Sequence, residues 1–222
     1  VSDFPQTVWT QIRRAGAGRE TAVATFVSRY RPAVLRFLRR RGLDAARAED
    51  VAQEVFLRVF DDKVLERADA ARGRFRSLLL AVTRHVLSHD LERASARKRG
   101  GGRSAVALDD AALETALASE SRDDEFDREW LASLLALALA KLRSENETHH
   151  ACLEAFLVEE RSHKEVAEKL GKTEATVRNA ISRGKARLAA ILRESIAGYA
   201  SSDEEVRDEV RYLSRFLEAP KE

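Results

Sequence analysis

The stretch from Ser162 to Leu192, SHKEVAEKLGKTEATVRNAISRGKARLAAIL, leaves this chain the fewest structural choices. Ser162 followed three residues later by Glu165 is a capping-box pattern, which starts a helix. Val166, Ala167 and Leu170 give that helix an apolar stripe. Gly171 then supplies the left-handed conformation on which many helices end. Thr173 caps a second helix, whose Val177, Ile181, Leu188 and Ile191 share one side at helical spacing. The opposite side carries Thr176, Arg178, Asn179, Ser182, Arg183 and Lys185. Two helices joined by so short a turn form a helix-turn-helix. Its second helix suits the major groove, where Arg, Asn, Ser and Thr read base edges. A plain helical hairpin with a solvated basic face satisfies the same pattern.

The rest of the chain also reads as helical. Only 10 glycines and 3 prolines interrupt 222 residues rich in Ala, Leu, Arg and Glu, so the fold class is all-α. One helix spans 21–41, with Phe26, Tyr30, Val34 and Phe37 inward, and Pro32 either kinks it or opens its first turn. A short helix around Val8, Trp9 and Ile12 precedes it. The next, 45–60, buries Val51, Val55, Phe56 and Val59 and turns Glu49, Asp50, Gln53 and Glu54 outward. Such a face is either solvated or a docking surface for a basic partner. A third helix, 75–97, places Leu78, Leu79, Val82 and Val86 inward and runs into RKRGGGR, a phosphate-seeking cluster.

Residues 100–124 are small, polar and acidic, which reads as a flexible linker. Helices at 126–142 and 149–158 then lead into the helix-turn-helix. The expected domains are therefore 1–99 and 125–194, joined by that linker, with a helical extension at 195–222. In the extension, Ser202 and Glu205 repeat the capping box, and Val206, Val210, Leu213 and Leu217 form a stripe that a domain of the chain or a partner must cover.

The net charge of +2 hides segregation into basic and acidic stretches, and local charge is what a nucleic acid meets. A single cysteine, Cys152, excludes an intramolecular disulfide and fits a reducing compartment. With no apolar run of bilayer length and no signal-peptide pattern, the expectation is a cytoplasmic protein without membrane insertion. His149, His150, Cys152 and His163 match no closed zinc spacing, so no metal is expected. Neither a phosphate-binding glycine loop nor a nucleophile elbow is present, so neither catalytic residues nor a cofactor are expected.

These residues carry a family likeness. ARAEDVAQEVFLRVF resembles the signature of the second conserved region of bacterial RNA polymerase sigma factors, and GRFRSLLLAVTRHVLSHDLER is similar to the helix with which that region melts the minus-ten element. HACLEAFLVEERSHKEVAEKLGKTEATVRNAISRGKARLAAIL resembles the fourth region, which binds the minus-thirty-five element. Two regions joined directly resemble the extracytoplasmic-function type of the sigma-70 family.

The resemblance implies that Asp50, Gln53 and Glu54 dock on the largest subunit of core RNA polymerase, and that the helices before the recognition helix dock on the second-largest. It places Arg76, Arg84, His85, Ser88 and His89 at the melted strand, with Arg93, Arg97, Lys98 and Arg99 on phosphates. The upstream duplex would meet Thr173, Glu174, Thr176, Val177, Arg178, Asn179, Ser182 and Arg183; Val177 thus belongs both to the apolar side and to the recognition helix. Leu78, His85 and Ala180 depart from the family's common Trp, Asn and Arg, which bears on the promoter sequence rather than the class. An anti-sigma factor or another regulator is a further partner that the pattern leaves open. Two other readings remain: a stand-alone helix-turn-helix regulator that dimerises through the tail, and a protein that sequesters polymerase or a regulator without touching promoters.

Overall fold

A computed structural model describes residues 19–60, 75–98, 123–200 and 202–216. The expected helix near Val8, the 61–74 loop, Arg99 and the linker as far as residue 122 lie outside the described residues, as do the side chains of Arg97 and Lys98. Among the described residues the structure is all-α, with eight helices and no strand. They are α1 (Arg19–Arg40), α2 (Ala45–Val59), α3 (Phe75–Lys98), α4 (Asp124–Glu145), α5 (Glu147–Leu157), α6 (His163–Leu170), α7 (Glu174–Ala197) and α8 (Asp203–Ser214). Pro32 lies inside α1 and does not open its first turn.

The described residues fall into two compact units. The first holds those up to Ser133 together with those from Tyr199 onward, and the second is Leu134–Gly198. The division falls inside α4 and before α8, not at the expected linker and extension boundaries. The cause is aromatic packing. Trp130, on the first half of α4, is fully buried and stacks on Tyr30 of α1 at 4.6 Å between ring centroids. Its indole N–H reaches the Tyr199 hydroxyl at 3.3 Å. Around this cluster Phe26 meets Phe75 edge-to-face at 4.8 Å and Phe126 meets Phe37 edge-to-face at 5.3 Å, a favoured arrangement for aromatic pairs.

In the first unit α2 packs against both α1 and α3. Asp44 caps α2 by accepting the Arg47 N–H at 2.9 Å. Val51, Val55, Phe56 and Val59 are buried as their helical spacing requires. In the second unit α7 packs on α5 and α6 around Leu142, Cys152, Leu153, Val166, Val177 and Ile181. Burial pushes the Cys152 thiol above its usual range, so it packs as a small hydrophobe.

Candidate nucleic-acid interface

The turn between α6 and α7 forms as its residues dictate. The Ser162 amide donates to Glu165 Oε2 at 2.8 Å while the Glu165 amide donates to Ser162 Oγ at 3.3 Å, completing the capping box. Gly171 sits at φ 62°, ψ 37°, and the Lys172 amide closes back on the Ala167 carbonyl at 3.0 Å. That left-handed conformation costs a residue with a Cβ about 1 kcal/mol or more. Thr173 then accepts the Thr176 amide at 3.2 Å and opens α7.

Helix α7 has two faces. Val177, Ala180, Ile181 and Gly184 are buried. Thr173, Glu174, Thr176, Arg178, Asn179, Ser182 and Arg183 are exposed in one tract. Arg178 pairs with Glu174 at 4.0 Å, and both side chains are more than half exposed, so solvent screening leaves the guanidinium available. Val177 needs correction: it is 0% exposed and belongs to the core, where it cannot meet a duplex. Ala180 is buried as well, so an arginine there would have to leave the helix's packed face. Gly184 lets α7 approach α5 closely, because a Cβ on it would lie 2.9 Å from Leu153 Cδ1 and 3.3 Å from the His149 carbonyl. Away from the tract, Arg187 grips Glu145 at 2.7 and 2.8 Å and Glu194 at 2.8 Å.

On the first unit, Asp50 and Gln53 are exposed and Glu54 is half-buried beside Arg58 at 3.7 Å. Leu57 lies among them, 64% exposed. Residues 50, 53, 54 and 57 follow the i, i+3, i+4, i+7 rule and share a surface, so this face is acidic with an apolar centre. Sequence reasoning missed Leu57 because it fell outside the core stripe; its spacing from Asp50 was the available signal. A cleft of about 210 Å³ beside this face is lined by Asp50, Glu54, His89, Asp90 and Arg93, with Val51 and Val86.

The minus-ten candidates on α3 scatter. Arg84 and Ser88 are exposed, while His85 and Arg93 are half-buried. His89 is only 7% exposed, its ring 4.7 Å from that of His85. Arg76 differs most from expectation. It is 1% exposed, donates to Glu209 Oε1 at 2.9 Å and to Asp127, and stacks its guanidinium 4.5 Å from the Tyr212 ring. In this conformation it faces the tail and α4, not solvent. Arg84 donates to Asp123 Oδ2 at 2.7 Å, as does Arg41. Burial opposes the charge on Asp123, but these arginines and the Phe126 amide outweigh it and hold the carboxyl below its usual range. Among the described residues, no group of three or more His, Cys, Asp and Glu is placed to hold a metal ion, and no helix is long and apolar enough to cross a membrane.

Two family models match the chain: Sigma-70 region 2 over residues 26–98, and Sigma-70 region 4 over residues 146–188. The first covers α2, α3 and most of α1; the second covers α5, the helix-turn-helix and the exposed tract of α7. The chain belongs to the sigma-70 family. It is a sigma factor of the extracytoplasmic-function type, and its two matched regions serve promoter recognition. A search of curated proteins returned no match. The tail of this sigma factor, from Tyr199 onward, lies outside both matches.

Proposed function

We propose that this sigma factor binds core RNA polymerase, carries it to promoters through two separate DNA contacts and helps open the strands, performing no chemistry itself. The observation that supports this best is that the region 2 match exposes an acidic face on α2 and the region 4 match exposes a polar and basic tract on α7, each on its own compact unit. Asp50, Gln53, Glu54 and Leu57 form a face for the largest polymerase subunit, with carboxylates for its basic groups and a leucine for its apolar ones. Leu157 and Val158, 50% and 72% exposed at the end of α5, suit the second-largest subunit. The exposed tract from Thr173 to Arg183, without Val177, reads the upstream duplex. Helix α3 holds the melted non-template strand with Arg84, His85 and Ser88, and Arg93, Arg97, Lys98 and Arg99 follow its phosphates; charge and stacking suit unpaired bases.

Each DNA contact alone is weak and salt-sensitive. Held on one polymerase they act at high effective concentration, so both elements count. Such a protein works where the polymerase does, in the cytoplasm. A stand-alone dimeric regulator would need the tail as its dimer surface, yet Glu209, Tyr212 and Leu213 of α8 are buried in the first unit. The test is transcription by bacterial core polymerase from a randomised promoter library, with and without the protein. Enriched templates should share two sequence elements at fixed spacing; transcripts that ignore the protein, or depend on one duplex element bound without polymerase, would overturn the reading.

A further inference from the structure

Both arginines that the family likeness sends to the melted strand from the first half of α3 are held by carboxylates from outside the region 2 match, which ends at residue 98. Arg84 is bound by Asp123, the residue that caps α4 by accepting the Glu125 and Phe126 amides at 3.0 and 3.2 Å. Arg76 is bound by Asp127 of α4 and Glu209 of α8. Tyr212 of α8 donates its hydroxyl to Asp127, and the Tyr199 hydroxyl reaches Glu209 at 3.3 Å, so the groups form one buried cluster. A carboxylate presents the same paired acceptor oxygens to a guanidinium that a phosphate does. The acidic groups therefore stand where strand phosphates would.

This hold is specific and of small net energy. Helix α8 has 12 residues and buries only Glu209, Tyr212 and Leu213. A helix that short is marginal alone. The desolvation of a buried ion cluster offsets most of its attraction, so α8 is attached mainly by groups that exchange partners at little net cost.

We propose that Glu209 on the tail helix α8, with the Asp123 side chain at the N-terminal end of α4, forms an acidic strap over α3 that occupies Arg76 and Arg84 until a nucleic-acid strand displaces it. The inference rests on the reading of α3 as the strand-holding helix. The strap makes the free sigma factor a poor DNA binder and couples strand capture to release of the tail.

The test uses the full chain and a labelled single-stranded DNA oligonucleotide of random sequence. Hydrogen exchange of the wild-type protein should speed up across residues 203–214 when the oligonucleotide is added. Glu209→Lys, which sets a cation against Arg76, should tighten oligonucleotide binding about tenfold by removing the closed state, and adding Arg76→Ala should reverse part of that gain. If the substituted chain does not fold, the wild-type exchange decides alone. Oligonucleotide binding that leaves exchange in 203–214 unchanged overturns the strap and leaves the reading of α3 intact. Absence of binding by every chain overturns the reading of α3, and the strap with it.

Discussion

Replacing Arg76 by methionine keeps much of its volume and removes its charge. Asp127 and Glu209, 0% and 1% exposed, then face one another without a cation. Breaking a buried ion cluster from one side costs about 3–5 kcal/mol, because the remaining charges stay desolvated. That is a large share of the roughly 5–15 kcal/mol that holds a domain together. The loss should also depend on pH. Burial already raises the Asp127 carboxyl above its usual range; without Arg76 a proton on this carboxyl relieves the repulsion, so Arg76→Met should destabilise less in mild acid than in mild base. Adding Glu209→Gln should recover part of the loss. Because the chain has two units, a global melt would mix them. Trp130 lies in the first unit and Trp9 is the other of the two tryptophans, so urea unfolding followed by fluorescence in a Trp9→Phe background isolates the relevant signal. A loss below about 1 kcal/mol, the size of an exposed ion pair, would refute the reasoning. So would a loss that grows as the pH falls.

Other outcomes follow from the second unit. Gly184→Val drives branched carbons into Leu153 and the His149 carbonyl and should destabilise this unit by about 2 kcal/mol, read as faster hydrogen exchange along α7. Arg178→Ala and Asn179→Ala should each weaken upstream-element recognition by about 1–3 kcal/mol in a footprinting titration, with core polymerase binding unchanged. The Glu145, Glu159, Glu165 and Glu194 carboxyls are held below their usual 4.5, the first and last chiefly by Arg187 and Lys141, the others by Lys169 and Ser162. Groups with lowered values contribute stability above pH 4.5 that disappears as pH falls through their folded-state values, so α7 should melt earlier in an acid titration below that point. The first unit should respond less, since its lowered Asp123 carboxyl and its raised Asp127 carboxyl act in opposite senses.

The helix-turn-helix was legible to the residue. Ser162, Gly171 and Thr173 act through their own side chain or backbone freedom, and local physics decides such positions. The inward face of α2 was equally readable, because period alone sorts Val51, Val55, Phe56 and Val59 from their neighbours. What sequence reading could not supply was long-range pairing. Arg76, Asp127 and Glu209 are 51 and 133 positions apart from Arg76 onward, and nothing local in an arginine distinguishes a buried partner from a DNA contact. The tail shows the same limit. Its apolar stripe places Leu213 inward, and Leu213 is buried, yet Val206 and Val210 are only half-buried and the buried set includes Glu209. A glutamate at the centre of a buried face is visible only once Arg76 is placed opposite it. Trp130 misled the domain boundary likewise: it suited the apolar stripe of α4, and only its stacking on Tyr30 assigns it to the first unit.

In the proposed function, polymerase docking and DNA reading reside on different faces of each unit. The most direct test is the affinity of labelled protein for bacterial core RNA polymerase at moderate salt, across three chains: wild type, Asp50→Ala with Glu54→Ala, and Arg178→Ala with Asn179→Ala. The account predicts tight association for the first and third and its loss for the second. Equal binding by all three, or failure of the wild type to associate, would contradict it.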